Sequence, residues 1–200
     1  MKRLLFIIII LIIIGYFQYT HINKISNSFE ILQYENPKKN IFENMMQDKL
    51  ISVFTNIQFE NHDDIQKNLY YYNIPLTIDS NHQLLNEPIN TLSLIKRQDK
   101  YRHLFYIVKG TKRFFIFTPE QQKNLYLQND ISPINLWNQD TIKYPLIEVA
   151  KYIEVICREN TMISIPYNYY YTYVTDDEEN ITIDFYSESI FSRFLKKNTF

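Results

Sequence analysis

The hydrophobic pattern divides the chain into an apolar N-terminal segment and a long region of short, alternating runs. Residues 4–14 are eleven uninterrupted apolar residues, and Lys2 and Arg3 precede them. At ~1.5 Å per residue, a helix over residues 4–17 would extend about 21 Å, which is short of the roughly 30 Å of a bilayer core. The pattern predicts an N-terminal helix over residues 1–20, because the run has no polar face to present to water.

Three interpretations of this segment stay open: a membrane signal-anchor, a cleaved signal peptide and a buried core helix. No site of small residues follows for a signal peptidase, so the anchor is favoured. Because Lys2 and Arg3 lie before the apolar run, the anchor predicts a single-pass membrane protein with a cytosolic N-terminus and a lumenal or external domain. Cleavage would instead release a secreted domain.

The rest of the chain predicts one mainly β domain. Residues 21–29 are polar and predict a stalk, and residues 30–200 predict a single globular domain. Helices are expected at residues 37–48 and 63–72, and the chain then changes to strand-length runs separated by turn signals. The predicted strands are 50–54, 75–78, 91–95, 101–109, 112–117, 152–157, 162–165, 169–174 and 181–186, with a closing helix at 187–197. Short helices followed by antiparallel strands predict a jelly roll with flanking helices.

Composition excludes several classes of function. Two glycines in 200 residues cannot form a Gly-rich phosphate-binding loop, so turns must rely on Asn and Asp. The single cysteine, Cys157, excludes an intrachain disulfide and is expected to be a small buried apolar residue. With a net charge of −1 and interspersed acids and bases, the chain has no basic face that would favour nucleic acid.

An ordered set of motifs lies between Arg97 and Phe185. It comprises GTKRFFIFTP at 110–119, LY at 125–126, YP at 144–145, EN at 159–160, IPYNYYY at 165–171 and TIDF at 182–185. In order and spacing these motifs resemble the cupin-8/JmjC group of iron and 2-oxoglutarate hydroxylases, and within it the asparaginyl hydroxylase type that acts on hypoxia-inducible factor. The resemblance implies a double-stranded β-helix (a jelly roll) with an iron site.

Two of the three metal-binding positions implied by the resemblance are changed. Counting back from Lys112, the family's first metal-binding His falls on Arg97 and its Asp falls on Asp99, while its distal His falls on Tyr171. A guanidinium stays protonated and repels a cation. We therefore expect no bound metal at this degenerate site, and an internal ion pair between Arg97 and Asp99 on one face of their strand.

Other positions of the same pocket carry further expectations. The family lysine that binds the distal carboxylate of 2-oxoglutarate corresponds to Lys112, which is therefore a candidate site for a small anion. His103 and Asp184 stand at two positions that the resemblance places in the pocket, and Asp184 could neutralise Lys112 or Arg97. Separately, Asn180 begins an N-glycosylation sequon that would be usable in a lumenal domain. A literal HxD at residues 62–64 favours a helix cap over a metal site.

These features predict a membrane-anchored, non-catalytic binding or scaffold module, a pseudo-hydroxylase that binds a protein partner or a small anion and needs no cofactor. One alternative is an active hydroxylase that uses Fe(II) and 2-oxoglutarate with unusual ligands. Another is a structural membrane protein of a large DNA virus. Bound metal would favour the hydroxylase, whereas stabilisation by a ligand without metal would favour the binding module. The structural protein predicts neither.

Overall fold

Ten strands and three helices form most of the described chain, which comprises residues 2–23, 26–36, 49–57, 77–100 and 102–189 of a computed structural model. A helix, α1 (Lys2–Asn23), comes first. The strands are β1 (Ile31–Glu35), β2 (Ile51–Thr55), β3 (Thr77–Pro88), β4 (Lys96–Arg97), β5 (Arg102–Lys109), β6 (Lys112–Phe117), β7 (Ile153–Cys157), β8 (Thr161–Ser164), β9 (Tyr170–Thr175) and β10 (Glu179–Ser189). Two 3₁₀ helices, Pro119–Leu125 and Pro145–Val149, lie between β6 and β7.

The strands form two sheets that pack face to face. One has the order β1-β2-β8-β5-β10-β3 and the other the order β4-β9-β6-β7. Apart from the parallel pair β1–β2, neighbouring strands in the described chain are antiparallel. From β5 onwards the chain passes repeatedly between the sheets: β5, β8 and β10 lie in the first, and β6, β7 and β9 lie in the second, where β6 and β7 pair directly. This is the double-stranded β-helix of a jelly roll, and it confirms the predicted fold class.

Alternate residues of both sheets fill the space between them. The shared core is apolar and aromatic and contains Ile51, Val53, Phe105, Ile107, Phe114, Ile116, Val155, Cys157, Ile163, Ile165, Tyr169, Tyr171 and Tyr173. Cys157 is fully buried, as expected, and burial raises the pKa of its thiol to about 12. The opposite face of the four-stranded sheet packs beneath the β6–β7 connection through Phe117, Leu125, Ile134 and Ile147. The two central strands of that sheet, β9 and β6, therefore have buried residues on both faces.

Asparagine makes most of the left-handed turns in the described residues. Nine residues other than glycine have positive φ, and six of them are Asn. Asn160, with φ of 61°, forms the turn between β7 and β8, in the gap between the strands predicted at 152–157 and 162–165. Asn tolerates this conformation better than most other residues with a β-carbon, so it takes the place that glycine has in the turns of most proteins.

The strands predicted at 50–54 and from residue 101 onwards agree with the observed ones, but β1, β4 and all of β3 after Ile78 were not predicted. Two further predictions are wrong. Residues 91–95 make only an isolated bridge at Leu92, so the strand predicted there is wrong. The helix predicted from residue 187 does not begin there, because Ser187 and Glu188 pair with Ser80 and Asp79 in β3 and sheet pairing overrides local preference. Residues 37–48, 62–64, 63–72 and 190–197, on which other predictions rest, lie outside the described residues.

The predicted N-terminal helix is present as α1 and continues to Asn23, into the segment predicted as a stalk. From residue 5 to residue 17 its side chains other than Gly15 are exposed. None of the described helices combines the length and the hydropathy that crossing a membrane requires.

The turn between β5 and β6 depends on Gly110, which has φ of +83°. A β-carbon there would lie 2.5 Å from the Glu179 carbonyl oxygen and 2.6 Å from Asn180 Oδ1. We therefore expect Gly110→Ala to lower the free energy of unfolding by about 2 kcal/mol or more, measured by urea denaturation of the full chain. The control Asn129→Gly, at φ of 50° in an exposed turn, should change it by less than about 0.5 kcal/mol. Equal stability of the two variants would contradict this account of the turn.

Candidate functional site

The short strand β4 determines which side chains point into the space between the sheets. Lys96 pairs with Tyr171, and Arg97 pairs with Tyr170. Tyr171 belongs to the core between the sheets, whereas Tyr170 belongs to the cluster on the outer face. Because directly opposed residues of neighbouring strands share a face, Lys96 points inward and Arg97 points outward.

Arg97 does not form the predicted ion pair with Asp99. Its Nη2 lies 3.1 Å from Asp130 Oδ2, and its Nε is buried without a hydrogen-bond partner. Asp99 Oδ2 lies 4.0 Å from the ammonium of Lys100. The prediction is wrong because a difference of one residue along a strand reverses the face, and the inward positions here are 96 and 98.

Gln98 is 1% exposed and joins the end of β4 to the other sheet. Its Nε2 donates to the carbonyl oxygens of Lys100 and Ile165, and its Oε1 accepts the Lys100 N–H. These bonds fix the orientation of the amide. Because Oε1 also lies 3.3 Å from His103 Nδ1 and can only accept, Nδ1 must carry a proton.

His103 and Asp184, two predicted pocket residues, contact each other directly. Nε2 of buried His103 lies 2.5 Å from Asp184 Oδ1, so one proton is held between the two atoms. Wherever that proton resides, the pair has no net charge. The rings of Phe105 and Tyr171 pack against the imidazole, with centroids 4.3 Å and 5.8 Å away. Asp184 therefore partners His103 and forms no ion pair with Lys112 or Arg97.

Lys112 is paired with Glu87, which the sequence analysis missed. The Lys112 side chain is 1% exposed, with Nζ 2.6 Å from Glu87 Oε2 and 4.1 Å from the centroid of the Tyr173 ring. The Tyr173 hydroxyl donates to Glu87 Oε1 at 2.8 Å. Burial lowers the pKa of Lys112 although the bond to Glu87 opposes this, and burial with the charge of Glu87 raises the pKa of Tyr173. The Lys112 ammonium and the Tyr173 hydroxyl thus each donate to one oxygen of the Glu87 carboxylate.

Tyr171, at the position that corresponds to the family's distal His, is 1% exposed in the core between the sheets. Burial raises the pKa of its phenol well above the usual value, and the charge of Asp184 acts in the same direction. The phenol is therefore held in its protonated form, which is a poor metal ligand.

The inward side chains do not fit the iron that the resemblance implies. Lys96 supplies a cation, Gln98 a neutral amide whose atoms are already bonded, and Tyr171 a protonated phenol. Iron of this class requires imidazole and carboxylate groups that converge with open positions. In the described ranges, no group of three or more His, Cys, Asp or Glu residues is placed to hold a metal ion.

Asn180 is not available for glycosylation in the folded domain. It is 1% exposed, and its Nδ2 donates to the Asp177 carbonyl oxygen at 2.5 Å. Its Oδ1 accepts the Thr111 N–H at 3.2 Å. A glycan would be attached at this same buried nitrogen, so the prediction of a usable sequon is wrong.

Comparison with known proteins identifies the class of this fold. A family model described as a cupin-like domain matches residues 62–193. The chain belongs to this family of cupin-like domains. The asparaginyl hydroxylase type within the wider group stays a prediction.

Other comparisons add little. No curated protein sequence matches the chain. Among solved structures it is similar to procruciferin, an 11S globulin from Brassica napus, with a TM-score of 0.36 and 10% sequence identity over 55% of this chain. The matched region is 21% of the procruciferin chain, so this chain spans about a fifth of that protein.

The Lys112–Glu87 pair predicts an asymmetric pattern of stability. Glu87→Gln leaves a buried ammonium without a counter-charge and should lower the free energy of unfolding by about 3 kcal/mol. Lys112→Met should lower the free energy of unfolding by less, because Tyr173 still donates to Glu87. The double variant should recover much of the stability that Glu87→Gln loses. Urea denaturation of the full chain measures all three. The matched control is Lys109→Met at an exposed pair with Glu179, where we expect little change. If Glu87→Gln is as mild as this control, the pair does not stabilise the interior.

Proposed function

We propose that the chain is a non-catalytic cupin-like domain, a pseudo-hydroxylase, that binds its ligand without a metal ion. The observation that carries the proposal is the inward placement of Lys96 and Gln98. By the family resemblance, two metal ligands would be expected on this part of the inner face. A cation and a fully bonded amide stand there instead.

The charges around this position also oppose a divalent cation. An ion that entered between the sheets would meet the ammonium groups of Lys96 and Lys112. The two nearby carboxylates, Glu87 and Asp184, are already engaged by Lys112 and His103. To hold a metal, the protein would have to break a buried pair, which costs about 3–5 kcal/mol when one partner is left uncompensated.

The polar interior favours a binding module over a purely structural protein. Replacement of a buried ion pair by apolar residues of similar volume is often neutral or stabilising. Stability alone therefore does not require Lys112, Glu87, His103 and Asp184 between the sheets. A polar ligand would give such an interior a use beyond the alignment of the two sheets.

The test is to measure bound iron in the full chain, purified in mild detergent, and its melting temperature with and without Fe(II) plus 2-oxoglutarate. We expect no stoichiometric iron and no shift beyond about 1 °C. One iron per chain with a shift of several degrees would establish the alternative, an active hydroxylase.

Two matched variants test whether the inner face is the reason. Lys96→His, Gln98→Asp and Tyr171→His together place imidazole, carboxylate and imidazole at inward positions, and this variant should gain iron. Arg97→His with Tyr171→His, which keeps Asp99, places two of its three ligands on the outer face and should gain none. Circular dichroism verifies that both variants are folded. Iron in the second variant but not the first would show that positions 97 and 99 face the pocket.

We further propose that α1 holds the domain at a membrane surface. Over residues 5–17, every side chain except Gly15 is apolar or aromatic and between 38% and 67% exposed. Such a surface favours transfer into lipid. A scaffold or binding module held in this way would meet partners that are themselves at the membrane.

Flotation with phosphatidylcholine vesicles tests the membrane proposal. The full chain should float with the vesicles, and Ile9→Glu with Ile12→Glu should abolish flotation, because a charge in the apolar region costs about 3 kcal/mol. Ile142→Glu is the control, since Ile142 is 96% exposed on the domain and should not affect flotation. Loss of flotation in the control, or its survival in the double variant, would contradict the proposal.

A further inference from the structure

The charged side chains between the sheets are paired in the described chain, with one exception. Glu87 binds Lys112 and Tyr173, and Asp184 binds His103. Lys96 points into the same space and forms no ion pair with any described carboxylate. Its Nζ lies over the face of the Tyr171 ring, 5.2 Å from the centroid.

These pairs fix the net charge of the interior. The Lys112–Glu87 pair and the His103–Asp184 pair each have no net charge, wherever their shared protons reside. Among the described residues between the sheets, Lys96 therefore leaves one positive charge without a paired carboxylate. Lys96 is partly exposed, so water stabilises part of its charge, and a ligand with one negative charge would supply the counter-charge that the described residues do not. A second negative charge on the ligand would itself lack a partner.

Hydrogen-bonding groups between the sheets are also unused. The Oγ1 of Thr182 is fully buried and has no hydrogen-bond partner. Thr182 is paired with the core residue Ile107, which places this hydroxyl on the inner face of β10. The hydroxyl of Tyr171 likewise makes no hydrogen bond to any described residue. Buried polar groups are ordinarily satisfied, so the Thr182 hydroxyl indicates that a polar ligand belongs between the sheets.

We propose that Lys96 anchors a binding site for a small monocarboxylate, whose oxygens accept from the Lys96 ammonium and the Tyr171 hydroxyl. The proposal rests on the metal-independent binding function and names its ligand class. It differs from the expectation for Lys112, whose ammonium is already held by Glu87. A carboxylate fits because its single charge balances that of Lys96 and its two oxygens can accept from two donors.

The experiment is a titration of the full chain in mild detergent, with a chelator present, using butyrate and benzoate. Butyramide and benzamide are the neutral controls of matched shape. We expect both carboxylates to raise the melting temperature and both amides to have no effect. Lys96→Met should weaken carboxylate binding by about 10-fold or more, the usual range for loss of a charge-assisted hydrogen bond. Lys96→Arg should retain binding, because the positive charge is kept.

The control variant is Lys123→Met, an exposed lysine in the first 3₁₀ helix with the same change of charge, which should bind as the unchanged chain does. Undiminished binding by Lys96→Met would overturn the proposal, as would equal binding of the amides or no binding of either carboxylate. If the purified chain also contains no iron, any of these results would refute the Lys96 site without refuting the proposed metal-independent binding function. Carboxylate binding that appears only after iron is added would instead refute the proposed function itself.

Discussion

The pairing of Lys96 with Tyr171 determines the chemistry of the interior. In a strand, successive side chains point to opposite faces, so this one pair directs positions 96 and 98 inward and position 97 outward. The consequences extend through both sheets. The inward Gln98 accepts a hydrogen bond from His103 Nδ1, and His103 Nε2 in turn bonds to Asp184. A shift of one residue would bring a guanidinium between the sheets and expose the amide that now joins them.

The interior polar groups connect the two sheets. Glu87 lies on the edge strand β3 of the six-stranded sheet, and its partners Lys112 and Tyr173 lie on β6 and β9 of the other. Gln98 makes a second connection, from the end of β4 to the Ile165 carbonyl oxygen beyond β8. Apolar contacts between the sheets would allow some sliding, whereas hydrogen bonds of fixed direction do not. These two connections specify how the sheets align, even where their net contribution to stability is small.

Local signals in the sequence were sufficient for most of the strands from β5 onwards, but not for β1, β3 and β4 or for the site. The run from Lys112 to Phe117 and the turn at Asn160 were predictable, because periodicity and turn chemistry are encoded within a few residues. The face of β4 was not, because a spacing of two residues fits positions 96 and 98 as well as 97 and 99. The count back from Lys112 crosses the connection between β4 and β5. An insertion of one residue in that connection cannot be recognised from the sequence, and it changes which positions are assigned to the inner face. Glu87 was missed because its bond to Lys112 joins residues 25 apart, and only the tertiary fold brings them together.

An ammonium attached to the chain differs from a metal ion in ways that define what the proposed site can do. It carries one charge, so it balances a monoanion rather than a ligand that chelates. It also has three donor hydrogens and no vacant coordination positions, so it can orient a carboxylate but cannot bind oxygen beside it. The Tyr171 ring supports the cation through its face and leaves the donors directed elsewhere. In the proposed site, the inward residues would be able to bind an anion but would lack the ligands that the chemistry of an oxygenase needs.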